Sequence, residues 1–113
     1  MDFGMFRLKH SKNASYDLDD LVAYMIFSLK NSYAAKKFMN AYDKQIKSLV
    51  LFPYAYREIG YTYQGYAIRI KPFLDYNIFY VVDETSYQFT ILRILKGRQD
   101  WKSIMYNIDD FSI

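Results

Sequence analysis

The chain has 113 residues, the size of one domain with a single core of modest stability. Hydrophobic residues make up 52% and charged residues 24% of the chain, which excludes an intrinsically disordered protein. There are no cysteines, so disulfide frameworks and thiolate metal sites are also excluded. The formal net charge of +3 permits nucleic-acid binding without requiring it, because the position of charges matters more than their total.

The sequence carries no membrane or secretion signal. Its first residues, MDFGMFRLKH, include Asp2 and lack the apolar segment of a secretory signal. No window reaches the roughly 18 uninterrupted apolar residues that a membrane helix needs. The lack of cysteine agrees with a reducing compartment. We therefore expect a cytoplasmic protein that does not bind membranes.

The first half of the chain predicts one strand and two helices. Residues 5–9 alternate apolar and basic side chains, as a short strand does, and Ser11 is a suitable N-cap for the helix that follows. Two stripes of apolar residues at helical spacing then follow, separated at Asn31: Ala14, Leu18, Leu21, Val22, Met25, Ile26 and Leu29, then Ala35, Phe38, Tyr42, Ile46 and Leu49. Pro53 ends the second helix. Because the connection is short, we expect an antiparallel helical hairpin.

The second half changes to the two-residue period of strands. Residues 65–73, GYAIRIKPF, place apolar side chains on one face and Arg69 and Lys71 on the other, solvated face. Residues 76–84, YNIFYVVDE, and residues 87–97, YQFTILRILKG, predict two further strands joined by a polar turn.

The predicted element order is therefore β-α-α-β-β-β, with a short C-terminal helix or tail that begins near Asp100. The fold class is α+β: an N-terminal strand and an antiparallel helical hairpin packed on a mainly antiparallel sheet. No linker or internal repeat divides the chain, so residues 1–113 are expected to be one domain.

Three features of the chain resemble the RelE/ParE superfamily of bacterial toxins from type II toxin–antitoxin modules. The element order matches over nearly the whole chain. The segment YNIFYVVDE is similar to the central strand of the family. The segment ILRILKGRQDW, residues 91–101, resembles the closing strand and the His/Lys-Gly-Arg-Gln/Arg-Asp segment that follows it. The resemblance implies a toxin that arrests growth, uses no cofactor and is held inactive by a cognate antitoxin.

The resemblance also implies one of two activities. RelE-like members enter the ribosome and cleave mRNA without a metal, whereas ParE-like members inhibit DNA gyrase and are not nucleases. We expect a ribosome-dependent mRNA endoribonuclease first, because a basic sheet face suits RNA. Two alternatives remain open: a ParE-like gyrase inhibitor, and a catalytically degenerate toxin retained for antitoxin binding and repression of its own operon. A small RNA-binding module outside the family ranks last, since it leaves LKGRQDW unexplained.

Cleavage of RNA needs cations that stabilise the charged transition state and groups that transfer protons. The resemblance assigns catalytic roles to Arg69 and Arg98, and RNA binding to Lys71, Asn77, Arg93 and Lys96, with no metal site. Most relatives have an arginine where this chain has Asn77. Because asparagine supplies no positive charge, this difference weakens the nuclease hypothesis.

Structural roles compete with these assignments. Alternating cations on a strand are more often a solvated face than a site. The forked guanidinium of Arg93 could equally pair with an acid of a neighbouring strand. Trp101 is expected to serve packing, and His10 is expected to have no partner. The acids near the start of the first helix do not converge on a metal and are expected to be solvated: Asp17, Asp19 and Asp20.

Overall fold

The computed structural model describes residues 6–97 and 99–106. The elements follow one another as β1 (Arg7–His10), α1 (Lys12–Ala23), α2 (Ser32–Leu51), β2 (Glu58–Tyr63), β3 (Tyr66–Phe73), β4 (Tyr76–Asp83), β5 (Gln88–Lys96) and α3 (Trp101–Tyr106). A π-helical turn, Tyr24–Ser28, continues α1 towards the connection with α2. The predicted α+β class, the helical hairpin and the short C-terminal helix are confirmed.

The five strands form one sheet in the order β1-β5-β4-β3-β2. The pairing of β1 with β5 is parallel and the other three pairings are antiparallel, so the sheet is mainly antiparallel, as predicted. Strand β2 was not predicted. It joins β3 through a two-residue turn at Gln64 and Gly65, whose φ angles of 51° and 87° are both positive, as a type I′ hairpin turn requires.

Side-chain caps begin both long helices. The hydroxyl oxygen of Ser11, the predicted N-cap, accepts a hydrogen bond of 3.0 Å from the Ala14 amide. The same hydroxyl donates to the Leu92 carbonyl at 2.7 Å, and this bond ties the start of α1 to β5. The side chain of Asn31 caps α2 by accepting from the Ala34 amide at 2.9 Å. Ser11 is buried and Asn31 is exposed, so Ser11 serves the core as well as its helix.

The sheet is covered on both faces, by different elements. The helical hairpin packs on one face, which we call the helix face, around Ala14, Phe38, Tyr42, Ile46, Leu49, Phe73, Ile78, Tyr80, Val82, Phe89, Ile91 and Ile94. The other face is packed around Tyr63, Ile68, Ile70, Phe79, Val81, Leu92, Leu95 and Met105. On that second face α3 supplies Trp101, whose ring lies 5.6 Å from the Phe79 ring and 6.4 Å from the Tyr61 ring. Trp101 therefore has the packing role expected for it.

In the described part of the chain, none of the helices has the length and apolar character needed to cross a membrane. Across the same residues, no three side chains of the types His, Cys, Asp or Glu form a group that could hold a metal ion.

Replacement of Ser11 by alanine tests its double role. Ser11→Ala removes the cap of α1 and the donor to the buried Leu92 carbonyl, so we expect a loss of about 2 kcal/mol in the free energy of unfolding, measured by urea denaturation. Asn31→Ala removes only an exposed cap and should cost about 1 kcal/mol or less. Equal losses in the two variants would contradict the link between Ser11 and β5.

Candidate functional site

The residues predicted to contact RNA do not converge on one surface. Arg69 and Lys71 alternate along β3 with the buried Ile68 and Ile70, as predicted, but they lie on the helix face of the sheet. By the same alternation, Asn77 lies on the opposite face, two residues before Phe79. Arg98 lies outside the described residues.

Arg69 is held by the segment that joins α2 to β2. Its Nη1 donates to the Tyr56 carbonyl at 2.6 Å, and its Nη2 donates to Oε2 of Glu58 at 3.2 Å. Glu58 is also the residue opposite Arg69 in the pairing of β2 with β3. The guanidinium carbon lies 5.0 Å from the centre of the Tyr54 ring. Arg69 therefore connects the chain after α2 to the edge of the sheet.

Lys71 is buried, with 4% of its surface exposed. Its Nζ donates to the Tyr56 hydroxyl at 2.7 Å and lies 4.1 Å from the centre of the same ring. The prediction that Lys71 belongs to a solvated face is wrong, because the segment after α2 covers this part of the helix face. A buried ammonium group needs partners in the protein, and Tyr56 supplies them.

Tyr80 completes this group, which we call the Arg69 cluster: Tyr54, Tyr56, Glu58, Arg69, Lys71 and Tyr80. The Tyr80 hydroxyl donates to the Pro53 carbonyl at 2.8 Å, one more tie to the segment after α2. Burial raises the pKa of Tyr80 to about 12. The raised pKa makes Tyr80 harder to deprotonate than an ordinary tyrosine, which suits its role as a hydrogen-bond donor.

Arg93 reaches α1 and not a neighbouring strand. The pairing of β4 with β5 shifts between Phe79 and Tyr80, which face Arg93 and Ile91, so that Leu92 is an extra residue in β5. A β-bulge of this kind changes the direction in which the neighbouring side chains point. Regular alternation along β5 would place Arg93 on one face with Phe89, Ile91 and Leu95, but Phe89 and Ile91 lie on the helix face and Leu95 on the other.

The partner of Arg93 is Asp17. Arg93 Nε donates to Asp17 Oδ2 at 2.8 Å and Arg93 Nη2 donates to Asp17 Oδ1 at 3.0 Å, so the ion pair is bidentate. Asp17 Oδ2 also accepts from the Ile94 amide at 2.9 Å. The two side chains are 16% and 15% exposed. Asp17 is thus not part of a solvated face as expected, because it joins the middle of α1 to β5.

Asn77 and Lys96 border an open cleft at the turn between β3 and β4. The cleft has a volume of about 580 Å³ and is lined by Pro72, Leu74, Asp75, Tyr76, Asn77, Lys96 and Gly97. The Gly97 amide donates to the Asp75 carbonyl at 2.8 Å, and a β-carbon at Gly97 would lie 3.3 Å from that oxygen. Lys96 also lines a smaller cleft of about 210 Å³ together with Arg93 and Asp17. Lys96 thus borders both clefts, one together with Asn77 and the other together with Arg93, and neither cleft is lined by Arg69 or Lys71.

Besides Asp17, three partners were missed by reasoning from the sequence: Tyr42, Tyr56 and Glu58. The Nε2 atom of His10 shares a hydrogen bond of 2.7 Å with the Tyr42 hydroxyl, so the expectation that His10 has no partner is wrong. Burial lowers the pKa of His10, which favours the neutral ring in this contact. Tyr56 and Glu58 were missed because β2 was missed. The Gln64-Gly65 turn signal could have identified the hairpin and with it the pairing of Glu58 with Arg69.

The Asp17 ion pair can be tested by removing one charge. Asp17→Asn leaves the largely buried Arg93 without its carboxylate, so we expect a loss of about 2 kcal/mol in the free energy of unfolding, measured by urea denaturation. Asp20→Asn, an exposed position on the same helix, should change stability by less than about 0.5 kcal/mol. If both variants lose the same amount, the ion pair does not hold α1 to β5.

The Lys71 contact can be tested with a double-mutant cycle. Tyr56→Phe removes the hydroxyl that accepts from Lys71 and should cost about 2 kcal/mol, because a buried ammonium loses its acceptor. Lys71→Met replaces the charge by an apolar chain of similar length and should leave stability unchanged or raise it. In the Lys71→Met background, Tyr56→Phe should cost much less than in the wild type. An undiminished cost in that background would show that the two groups are not coupled.

Comparison with known proteins identifies a family that this chain matches. The model of the family described as the ParE toxin of type II toxin-antitoxin systems, parDE, matches residues 8–101, well over half of the chain. One solved structure that matches is described as the chromosomal ParDE TA system from P. aeruginosa. It is 21% identical in sequence, has a TM-score of 0.64, and the match covers 82% of this chain and 97% of that chain. At this identity the match shows a shared fold.

None of the curated protein sequences matches the chain. The family match confirms the predicted resemblance to the RelE/ParE superfamily and places the match within its ParE toxins. The chain belongs to the ParE toxin family of type II toxin–antitoxin systems, a membership that implies a cognate antitoxin as its partner.

Proposed function

We propose that this toxin arrests growth by inhibiting DNA gyrase and not by cleaving mRNA. The observation that carries the proposal is the internal use of three of the cations that were assigned to a nuclease. Arg69, Lys71 and Arg93 each bind a carboxylate, a carbonyl or a hydroxyl of the same chain. The family match supports the proposal as well, since the matching model is that of ParE toxins and ParE-like members of the superfamily inhibit gyrase.

The chemistry of RNA cleavage sets demands that these residues meet poorly. A transition state with extra negative charge needs cations that face the phosphate before the reaction starts, in a fixed geometry. Lys71 would have to leave a buried site and its hydrogen bond to Tyr56 to reach a phosphate. Arg69 and Lys71 also lie on the opposite face of the sheet from Asn77.

Gyrase inhibition makes a weaker demand on the toxin. It requires a stable surface that binds the enzyme, and no proton transfer or bond cleavage by the toxin itself. The internal ion pairs of Arg69 and Arg93 suit such a role, because they hold the helical hairpin and the segment after α2 in place on the sheet.

The RelE-like nuclease remains the second candidate, and the cleft beside the β3–β4 turn favours it. Asn77 and Lys96 both border that cleft, and Arg98 follows within two residues of Lys96 in the sequence. A toxin that binds its antitoxin and has lost its own activity is the third candidate. All three candidates share the antitoxin. The first two differ in the molecule that they damage, and the third damages none.

Induction of the toxin in growing bacteria tests the proposal. We expect growth arrest with reporter plasmids that lose negative supercoils, and purified toxin should block supercoiling by purified gyrase. Mapping of mRNA 5′ ends in the same cells should show no new ends within translated frames. Co-expression of the antitoxin should restore supercoiling, and a toxin gene with an early stop codon controls for effects of its transcript.

The opposite pattern would overturn the proposal. New 5′ ends inside translated frames, together with normal plasmid supercoiling, would assign the toxin to the nuclease class. Growth without arrest, while the antitoxin is still bound, would support the degenerate toxin.

A further inference from the structure

The outward face of α2 carries a concentration of positive charge that the proposed function does not use. Four lysines on this helix are exposed, and we call them the α2 lysine face: Lys36, Lys37, Lys44 and Lys47. At about 100° per residue they fall within an arc of about 100° around the helix. The buried residues of α2 lie on the opposite side of the helix, so the α2 lysine face points directly away from the sheet.

The positive charge on this face is only partly balanced by acidic residues of α2. Of the acidic residues, α2 contains only Asp43, which leaves an excess of three positive charges on one helix. That excess equals the formal net charge of +3 of the whole chain. Among residues 6–97 and 99–106, the ion pairs join Arg69 to Glu58 and Arg93 to Asp17, and neither involves the α2 lysine face. The lysines are therefore available to an external anion.

We propose that the α2 lysine face binds the phosphate backbone of duplex DNA without reading its sequence. Lys36 and Lys47 are about 17 Å apart along the helix axis, and duplex DNA carries one charge per about 1.7 Å of its axis, so this length of helix faces several phosphates. Between the lysines the exposed residues are polar: Asn40, Asp43 and Ser48 join them on this surface.

An acidic protein is the competing occupant, and the composition of the face disfavours it. The cores of protein–protein interfaces are depleted in lysine and enriched in aromatic residues. Here the exposed apolar side chains of α2, Tyr33 and Leu51, lie only at its two ends, and the Tyr33 ring lies 5.5 Å from the Nζ atom of Lys37. The ammonium group of lysine is a compact point charge, which suits contacts with phosphates. Such contacts position a protein on the duplex without reading its bases.

The inference rests on the proposed function in one respect: the choice of duplex DNA as the ligand, because duplex DNA is the substrate that gyrase holds. Contact with that DNA would make the toxin bind the complex of gyrase with DNA more tightly than it binds free gyrase. Direct binding of the toxin to DNA can be measured with no gyrase present, so the two proposals can fail separately.

The test uses purified toxin and a short fluorescent duplex of DNA, with binding followed by anisotropy at several salt concentrations between about 50 and 200 mM. The triple variant Lys37→Gln, Lys44→Gln and Lys47→Gln should weaken binding by at least about tenfold at the low-salt end and reduce the slope of log affinity against log salt by about three. A matched control removes three exposed lysines elsewhere: Lys9→Gln, Lys12→Gln and Lys102→Gln. The control should retain wild-type affinity and slope, and circular dichroism should show both variants folded.

Several results would overturn the inference. Wild-type toxin that does not bind the duplex, or binds it independently of salt, would do so, as would equal losses in the two triple variants. If instead the α2 triple variant no longer binds the antitoxin and the wild type does not bind the duplex, the α2 lysine face binds an acidic protein. Toxin that inhibits gyrase without binding DNA refutes this inference alone. Toxin that binds DNA through α2 and leaves gyrase active refutes the proposed function alone.

Discussion

The ion pair between Asp17 and Arg93 is the contact on which the arrangement of the helix face depends. It fixes the middle of α1 to β5, and the Ser11 hydroxyl fixes the start of α1 to the extra residue of the same strand. With α1 in place, α2 can return across the sheet and cover it up to Pro53. The Arg69 cluster then holds the segment after α2 against β3. Two of these contacts use side chains predicted to act on RNA, Arg93 and Arg69.

This arrangement explains why the charged residues are poor indicators of a nuclease in this chain. A guanidinium or ammonium group that is removed from water needs a partner, and the pairs formed by Arg69, Lys71 and Arg93 meet that need within the fold. Accessible positive charge lies elsewhere, including Lys96 beside the open cleft and the outward face of α2. Among the residues that the structure describes, Arg69, Lys71 and Arg93 are therefore engaged within the fold.

Much of the fold can be predicted from the sequence because its signals are local. The apolar stripes of α1 and α2, the cap at Ser11 and the stop at Pro53 each depend on residues a few positions apart. Strand β2 was missed because EIGYTY is short and contains a glycine. The site was harder to predict, because Arg93 and Asp17 are separated by 76 positions in the sequence. The extra residue Leu92 also changes which face the rest of β5 presents, and no spacing rule reveals a bulge before the strands are paired.

The central claim is that Arg93 serves the fold and not a phosphate. It is tested most directly by replacing the ion pair with apolar side chains, Asp17→Leu with Arg93→Met, and measuring gyrase supercoiling in the presence of the purified, folded variant. A buried ion pair can often be exchanged for well-packed apolar residues without loss of stability. The account predicts a folded variant whose effect on growth and on gyrase supercoiling equals that of the wild type. A folded variant that no longer arrests growth or inhibits gyrase would contradict it, because Arg93 would then act on the target.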